Sequence, residues 1–143
     1  MSGELPILSL LIFAPLAGAG VAALIRDPRP ARWWALAVTV GIAVVSLRLW
    51  TGFDRGSAEF QFVERAPWIP FLGVTYRLGI DGISLLLVLL ATLVMPLCVL
   101  VPWRYIESRV REFLVSLLVM ESAMIGVFCA LDFVLFFVFW EFM

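Results

Sequence analysis

Two glutamates lie inside long apolar segments of this 143-residue chain: Glu121 within the run 113–131, and Glu141 within the run that begins at Phe133. A charged acid at the centre of a bilayer costs at least ~2.5 kcal/mol, which makes such an acid a candidate for function. The chemistry would be proton exchange. Burial favours the neutral acid, and a nearby cation favours the ionised form. The carboxyl group would therefore release its proton when a cation approaches and take up a proton when the cation retreats. No basic residue of the sequence lies at that depth, so the cation would come from another chain or from further sequence.

A structural interpretation competes with the functional one. A protonated acid inside a helix can hydrogen-bond to a hydroxyl group and hold helices together. For Glu121, the nearby Ser116 and Ser122 are candidate partners, and both interpretations stay open. For Glu141 we favour proton transfer.

Asp132 marks a short turn between the two apolar runs that hold the glutamates. Glu121 lies eleven residues before it and Glu141 nine residues after it. At ~1.5 Å per residue, both acids would lie roughly 14–17 Å from the membrane face, close to mid-bilayer. They would share a hydrated path if they faced one another across adjacent helices. Asp132 itself, like Asp81, stands at a predicted helix start, where a carboxylate accepts hydrogen bonds from free N–H groups, so we interpret both as helix caps.

The elements that position these acids are apolar helices. The sequence predicts an all-α integral membrane protein, a polytopic bundle of transmembrane helices in which residues 1–143 form a single membrane domain. The predicted helices span about 5–25, 33–50, 83–103, 113–131 and 133–143. The last run holds eleven residues, about half of the ~20 that cross a bilayer, so we expect an incomplete fifth helix in a longer protein.

Polar connections separate the apolar runs. Residues 26–32 predict a tight charged turn, and residues 51–82 form the one long polar loop. Polar and apolar residues alternate in 58–63 and again in 74–78, with Pro and Gly between them. This pattern predicts a short β-hairpin that lies on the membrane surface.

Arginines set the predicted orientation. The connection after the first helix holds three Arg and one Asp, and the connection after the third holds three Arg and two acids. The positive-inside rule places both connections in the cytoplasm. The N-terminus and the loop 51–82 would then be periplasmic, on the outer side of a bacterial inner membrane.

Composition excludes several classes of function. Hydrophobic residues make up 64% of the chain, and its net charge of −1 argues against a nucleic-acid partner. The chain has no His and only two Cys, so it cannot build a usual zinc, haem or iron–sulfur site, and we expect it to bind no cofactor. Cys98 and Cys129 lie in separate apolar runs and are interpreted as buried small residues without a disulfide.

Three segments together resemble one family. They are residues 130–143 (ALDFVLFFVFWEFM), 76–85 (YRLGIDGISL) and 67–70 (PWIP). Their order and spacing are similar to those of the antiporter-like subunits of respiratory complex I, the proton-pumping NADH:quinone oxidoreductase, in particular the subunit M type.

The resemblance implies specific roles. Glu141 matches the family's essential glutamate of the fifth helix, which in the family pairs with a lysine on a later helix. Glu121 matches an acid found in some members only. The family gives this subunit no redox centre, and its partners are the other membrane-arm subunits, the lipid bilayer and protons. The same fold serves Mrp-type cation/proton antiporters and membrane-bound hydrogenases, so an antiporter subunit remains an alternative, as does a membrane scaffold that transports nothing.

Overall fold

The computed structural model describes residues 5–143 as a bundle of antiparallel helices with a hairpin at one end. The helices are α1 (Ile7–Leu24), α2 (Pro28–Gly52), α3 (Gly82–Leu100), α4 (Val110–Cys129) and α5 (Phe133–Phe142), and the strands are β1 (Gln61–Ile69) and β2 (Val74–Ile80). The first four helices are each long and apolar enough to cross a membrane. The predicted all-α, multi-pass membrane fold with a short hairpin is therefore confirmed.

Helices α1 to α4 pack around a common core. α1 contacts α2 and α4, α3 contacts the same two helices from the other side, and α5 packs against α4. One cluster of buried residues fills the end nearest the hairpin and includes Leu8, Leu49 and Val88. A second cluster fills the opposite end and includes Ala22 and Val99. The hairpin therefore closes one end of the bundle, and the two arginine-rich connections lie at the other.

The start of α2 differs from the prediction. Residues 26–32 do not form a tight turn, because α2 already begins at Pro28. A proline suits the first turn of a helix, where its missing N–H would have no partner and its fixed φ angle is already helical. Asp27 before it is extended, so the connection shrinks to residues 25–27.

The connection between α3 and α4 is also placed differently. α3 ends at Leu100 rather than near Trp103, and α4 runs from Val110 to Cys129 rather than over 113–131. Pro102 has no N–H to donate to the fourth residue before it, so regular helical hydrogen bonding stops there. The chain then turns through residues 101–105 before α4 begins.

The two strands pair antiparallel, with Arg65 opposite Arg77 and Pro67 opposite Thr75. β1 begins and ends later than the predicted segment 58–63. An isolated two-stranded hairpin is marginally stable in water and needs packing against other elements. Here β2 supplies that packing, because Leu78 and Ile80 are fully buried in the cluster at the hairpin end of the bundle.

Candidate functional site

Glu121 lies on the buried face of α4 and is fully inaccessible to solvent. Among residues 5–143, neither oxygen of its carboxyl group has a hydrogen-bond partner. Its two candidate partners bond elsewhere: the Ser116 hydroxyl donates to the Glu112 carbonyl (2.8 Å) and the Ser122 hydroxyl to the Ile12 carbonyl (2.6 Å). The hydrogen bonds that a purely structural interpretation of Glu121 requires are therefore not found within the described part of the chain.

Hydroxyl groups and one indole make polar contacts between the helices: the Trp34 indole N–H of α2 donates to the Gly18 carbonyl of α1 at 2.9 Å. Ser122 joins α4 to α1 through the Ile12 carbonyl. Ser46 and Thr92 join α2 to α3, with their hydroxyl oxygens 2.8 Å apart. Polar side chains of this kind stabilise helix packing in membranes. These contacts hold neighbouring helices together without the carboxyl group of Glu121.

Glu141 lies on the opposite side of α5 from the contact with α4. Phe139 packs closely on Gly126 of α4, where an added Cβ would lie 2.5 Å from the phenyl ring. Two residues further along a helix correspond to a rotation of about 200°, so Glu141 turns away from α4 and is exposed. Glu121 is buried inside the bundle, so the structure does not bring the two carboxyl groups into one contact.

The acids at helix starts accept backbone hydrogen bonds. Asp81 accepts from the Ser84 N–H at 2.7 Å at the start of α3. This bond holds the pKa of the Asp81 carboxyl below its ordinary value. Asp132 accepts from the N–H groups of Val134 (2.9 Å) and Leu135 (3.3 Å) at the start of α5.

Asp132 makes a second contact, which leads to the hairpin. Its other oxygen accepts from the backbone N–H of Thr75 in β2, at 3.2 Å. The hydrogen bond from Thr75 is the largest of the effects that hold the pKa of Asp132 below its ordinary value. Beside it, the Leu131 N–H donates to the Arg77 carbonyl at 2.9 Å. Side-chain and backbone bonds together thus fasten the α4–α5 connection to β2.

The hairpin also holds the start of α1. The carboxylate of Glu64 in β1 accepts from the Leu8 N–H (2.8 Å), the Ser9 N–H (3.1 Å) and the Ser9 hydroxyl. The Ser9 hydroxyl oxygen lies 2.7 Å from the phenol oxygen of Tyr76, and burial raises the pKa of that phenol. We call Ser9, Glu64, Thr75, Tyr76 and Asp132 the hairpin network, because their hydrogen bonds join the hairpin to two helix starts.

Sequence reasoning did not identify Glu64. One local signal for it existed: Pro6 precedes α1 and offers no side-chain cap. The first N–H groups of a helix need partners from elsewhere when the residue before the helix supplies none. That signal predicts that an acceptor exists but does not identify it, and Glu64 lies 56 positions from Leu8 in sequence.

The chemistry available in the described residues is proton exchange at carboxyl groups. No group of three or more His, Cys, Asp or Glu residues that could hold a metal ion occurs within residues 5–143. Glu112 lies in the exposed first turn of α4, whereas Glu121 in α4 and Glu141 in α5 lie in apolar stretches of their helices. A carboxyl group in such surroundings is a functional candidate in a membrane protein.

Comparison with known proteins finds close sequence relatives, although no family model matches the chain. Over 94% of its length it is 46% identical to NADH-quinone oxidoreductase subunit M of Rhodobacter capsulatus, and over 94% it is 41% identical to NADH-ubiquinone oxidoreductase chain 4 of Arabidopsis thaliana. Over 96% it is 40% identical to F(420)H(2) dehydrogenase subunit M of Methanosarcina mazei. The chain spans 27%, 28% and 28% of these relatives, about a quarter of each.

Solved structures share the fold at lower identity. The Mrp complex from Dietzia sp. DQ12-45-1b matches 94% of this chain and 14% of its own chain, with a TM-score of 0.77 and 22% identity. The membrane-bound sulfane sulfur reductase, an archaeal respiratory membrane complex, matches 96% of this chain and 21% of its own chain, with a TM-score of 0.76 and 23% identity. The chain therefore shares its fold with a part of a chain in each of these two complexes. The resemblance to subunit M of NADH-quinone oxidoreductase that residues 67–70, 76–85 and 130–143 predict is confirmed by sequence comparison along almost the whole chain.

Proposed function

We propose that the chain belongs to a proton-translocating membrane-arm subunit of a bacterial NADH:quinone oxidoreductase. Glu141 takes up and releases the proton, and Glu121 is a secondary group on the proton path. The observation that carries this proposal is the presence of both acids in apolar helices of a chain 46% identical to a subunit M. In this proposal the chain itself holds no redox centre.

The relatives support a role that does not depend on one electron donor. One is named for NADH and quinone, and another, at 40% identity, for F(420)H(2). A membrane subunit that is similar in both contributes something the two enzymes share. Proton movement through the membrane fits that requirement, with the lysine partner of Glu141 and the neighbouring membrane-arm subunits supplied by the rest of the complex.

The proposed orientation places the hairpin outside and the arginine-rich connections in the cytoplasm. The connections 25–27 and 101–109 lie at the end of the bundle opposite the hairpin. Arg26, Arg29, Arg104 and Arg111 are exposed at that end, as the positive-inside rule favours. The N-terminus and the loop 51–82 are then periplasmic.

The proposal is tested with variants of the full-length subunit in its native membrane. Each membrane preparation is assayed for NADH:quinone activity and for NADH-driven acidification of inverted vesicles. Glu141→Ala is expected to abolish acidification and Glu141→Asp to retain part of it. Glu59→Gln is the matched control, because Glu59 is an exposed acid in the loop before β1.

An Mrp-type antiporter subunit is the second candidate, favoured by the structural match to the Mrp complex. It predicts that deletion of the gene makes cells sensitive to sodium or alkali while NADH oxidation by their membranes is unchanged. The complex I proposal predicts the reverse pattern, in which NADH:quinone activity falls.

A further inference from the structure

The two oxygens of the Asp132 carboxylate have different partners. Oδ1 accepts from the Val134 and Leu135 N–H groups and caps α5. Oδ2 accepts from the Thr75 N–H of β2, with the Thr75 hydroxyl 3.5 Å away. One carboxylate therefore binds the first turn of α5 and the hairpin together, whereas an ordinary cap needs only the first of these contacts.

Asp81 provides the comparison within the same chain. It caps α3 through its Oδ1, which accepts from the Ser84 N–H. Within residues 5–143, no side-chain hydrogen bond joins Asp81 to the hairpin, and the Asp81 carboxylate bonds the Ser84 N–H instead. The two aspartates share a role at a helix start and differ in the contact to β2.

The hairpin is itself held in place from the other side. Glu64 of β1 binds the first turn of α1 through Leu8 and Ser9. The β2 strand, bonded to Asp132, is thus fixed relative to the bundle. α5 also packs on the bundle through its two buried residues, Leu135 and Phe139, and Phe139 lies against Gly126 of α4. The bonds to β2 at the start of α5 and the packing of its buried face then determine how far α5 extends into the membrane and how it is rotated.

We propose that Asp132, through its contact with Thr75 of the hairpin, is a positioning residue that sets the depth and rotation of α5 and so the surroundings of Glu141. This inference rests on the proposed function, because it gives the position of Glu141 a role in proton transfer. Asp132 itself touches no proton path in this proposal. Its effect passes along α5.

The substitution Asp132→Asn separates the two contacts. Asparagine is as good a helix cap as aspartate, and its carbonyl oxygen replaces Oδ1. Its amide nitrogen, however, replaces Oδ2 and cannot accept the Thr75 N–H. Asp81→Asn is the matched control, because it removes the same charge at another helix start and leaves the Thr75 contact intact.

The test measures how fast dicyclohexylcarbodiimide, which modifies carboxyl groups in apolar surroundings, reacts with Glu141. The full-length protein is used in membrane vesicles, and modification is quantified by mass spectrometry of the α5 peptide. We expect Asp132→Asn to change the rate several-fold and to lower the protons translocated per NADH, while Asp81→Asn changes neither. The thermal unfolding midpoints of the two variants should be similar, so a loss of folding would not account for the difference.

Equal labelling rates of Glu141 in wild type, Asp132→Asn and Asp81→Asn would overturn the inference. Failure of the proposed function has a different signature. In that case Glu141→Ala translocates protons normally, while Asp132→Asn still alters the labelling of Glu141.

Discussion

Glu64 and Ser9 are joined twice although they lie 55 positions apart in sequence: the Glu64 carboxylate accepts hydrogen bonds from both the backbone N–H and the hydroxyl of Ser9. The first turn of α1 therefore finds its acceptor in the hairpin, and not in the residue that precedes the helix. The hairpin therefore links the start of α1 to the connection that precedes α5.

Substitution of Glu64 should destabilise the bundle. We expect Glu64→Gln to lower the free energy of unfolding by about 1–3 kcal/mol, because hydrogen bonds to a charged acceptor are lost from a helix start. The measurement is unfolding in mixed micelles with increasing sodium dodecyl sulfate. Glu59→Gln, in the loop before the strand, should have almost no effect. The double variant Ser9→Ala, Glu64→Gln should lose less free energy of unfolding than the sum of the losses in the two single variants, because both substitutions remove the same contact.

The negative charge of Asp81 should add a small contribution to the stability that its helix cap provides. Its folded-state pKa is lowered, so its contribution is present above the ordinary carboxyl pKa of about 4 and is lost as the pH falls through the folded-state value. At pH 7 we expect the free energy of unfolding of wild type to exceed that of Asp81→Asn by about 0.3 kcal/mol. This is the low end of the range for a charge at a helix start, because the charge is solvated. Unfolding measured as a function of pH should show this difference vanish in acid; a difference that grows in acid would contradict the assignment.

Glu121 should contribute to function at a cost to stability. Glu121→Met removes a buried polar group that has no hydrogen-bond partner in the described residues. We expect the free energy of unfolding to stay the same or rise by about 1–3 kcal/mol, while proton translocation falls. Glu121→Gln keeps a buried polar group and should be less stable than the methionine variant. A large loss of stability in Glu121→Met would instead show that the carboxyl group holds the helices together.

The contact between Gly126 and Phe139 should limit the position of α5. Gly126→Ala places a methyl group 2.5 Å from the ring of Phe139. We expect this overpacking to lower the free energy of unfolding by about 1–3 kcal/mol. Adding Phe139→Leu should restore part of that loss. Gly20→Ala in α1 is the control, because a Cβ there meets nothing within 4 Å. Thermal unfolding in detergent checks all three variants, and equal effects of Gly126→Ala and Gly20→Ala would exclude the packing explanation.

Local sequence patterns account for much of the fold. Long apolar runs predict the helices, because a span must satisfy its backbone internally and face hydrocarbon, and alternation predicts a hairpin. The start of α2 was mispredicted because Pro28 and charged neighbours suggest a turn, whereas a proline at the first helical position is compatible with a helix. The late start and end of β1 could not be read from alternation, since its pairing with β2 continues through Pro67.

The candidate site was predicted in part. Burial cost alone singles out the glutamates of α4 and α5, and position at a helix start singles out Asp81 and Asp132. Three facts required the structure: Glu141 is exposed while Glu121 is buried, Glu64 binds the start of α1, and the second oxygen of Asp132 binds β2. Each fact depends on the orientation of a helix about its own axis or on a contact between segments that are distant in sequence. Local sequence patterns specify neither of these.

The most direct measurement of the central claim is the number of protons translocated per NADH oxidised by inverted membrane vesicles that carry Glu141→Ala in the full-length subunit. Assembly of the complex is verified first, so that a missing subunit is not mistaken for a blocked proton path. The account predicts that this ratio falls sharply with Glu141→Ala and recovers in part with Glu141→Asp, which keeps a carboxyl group near the same position. A wild-type ratio in the alanine variant, with the complex fully assembled, would contradict the account.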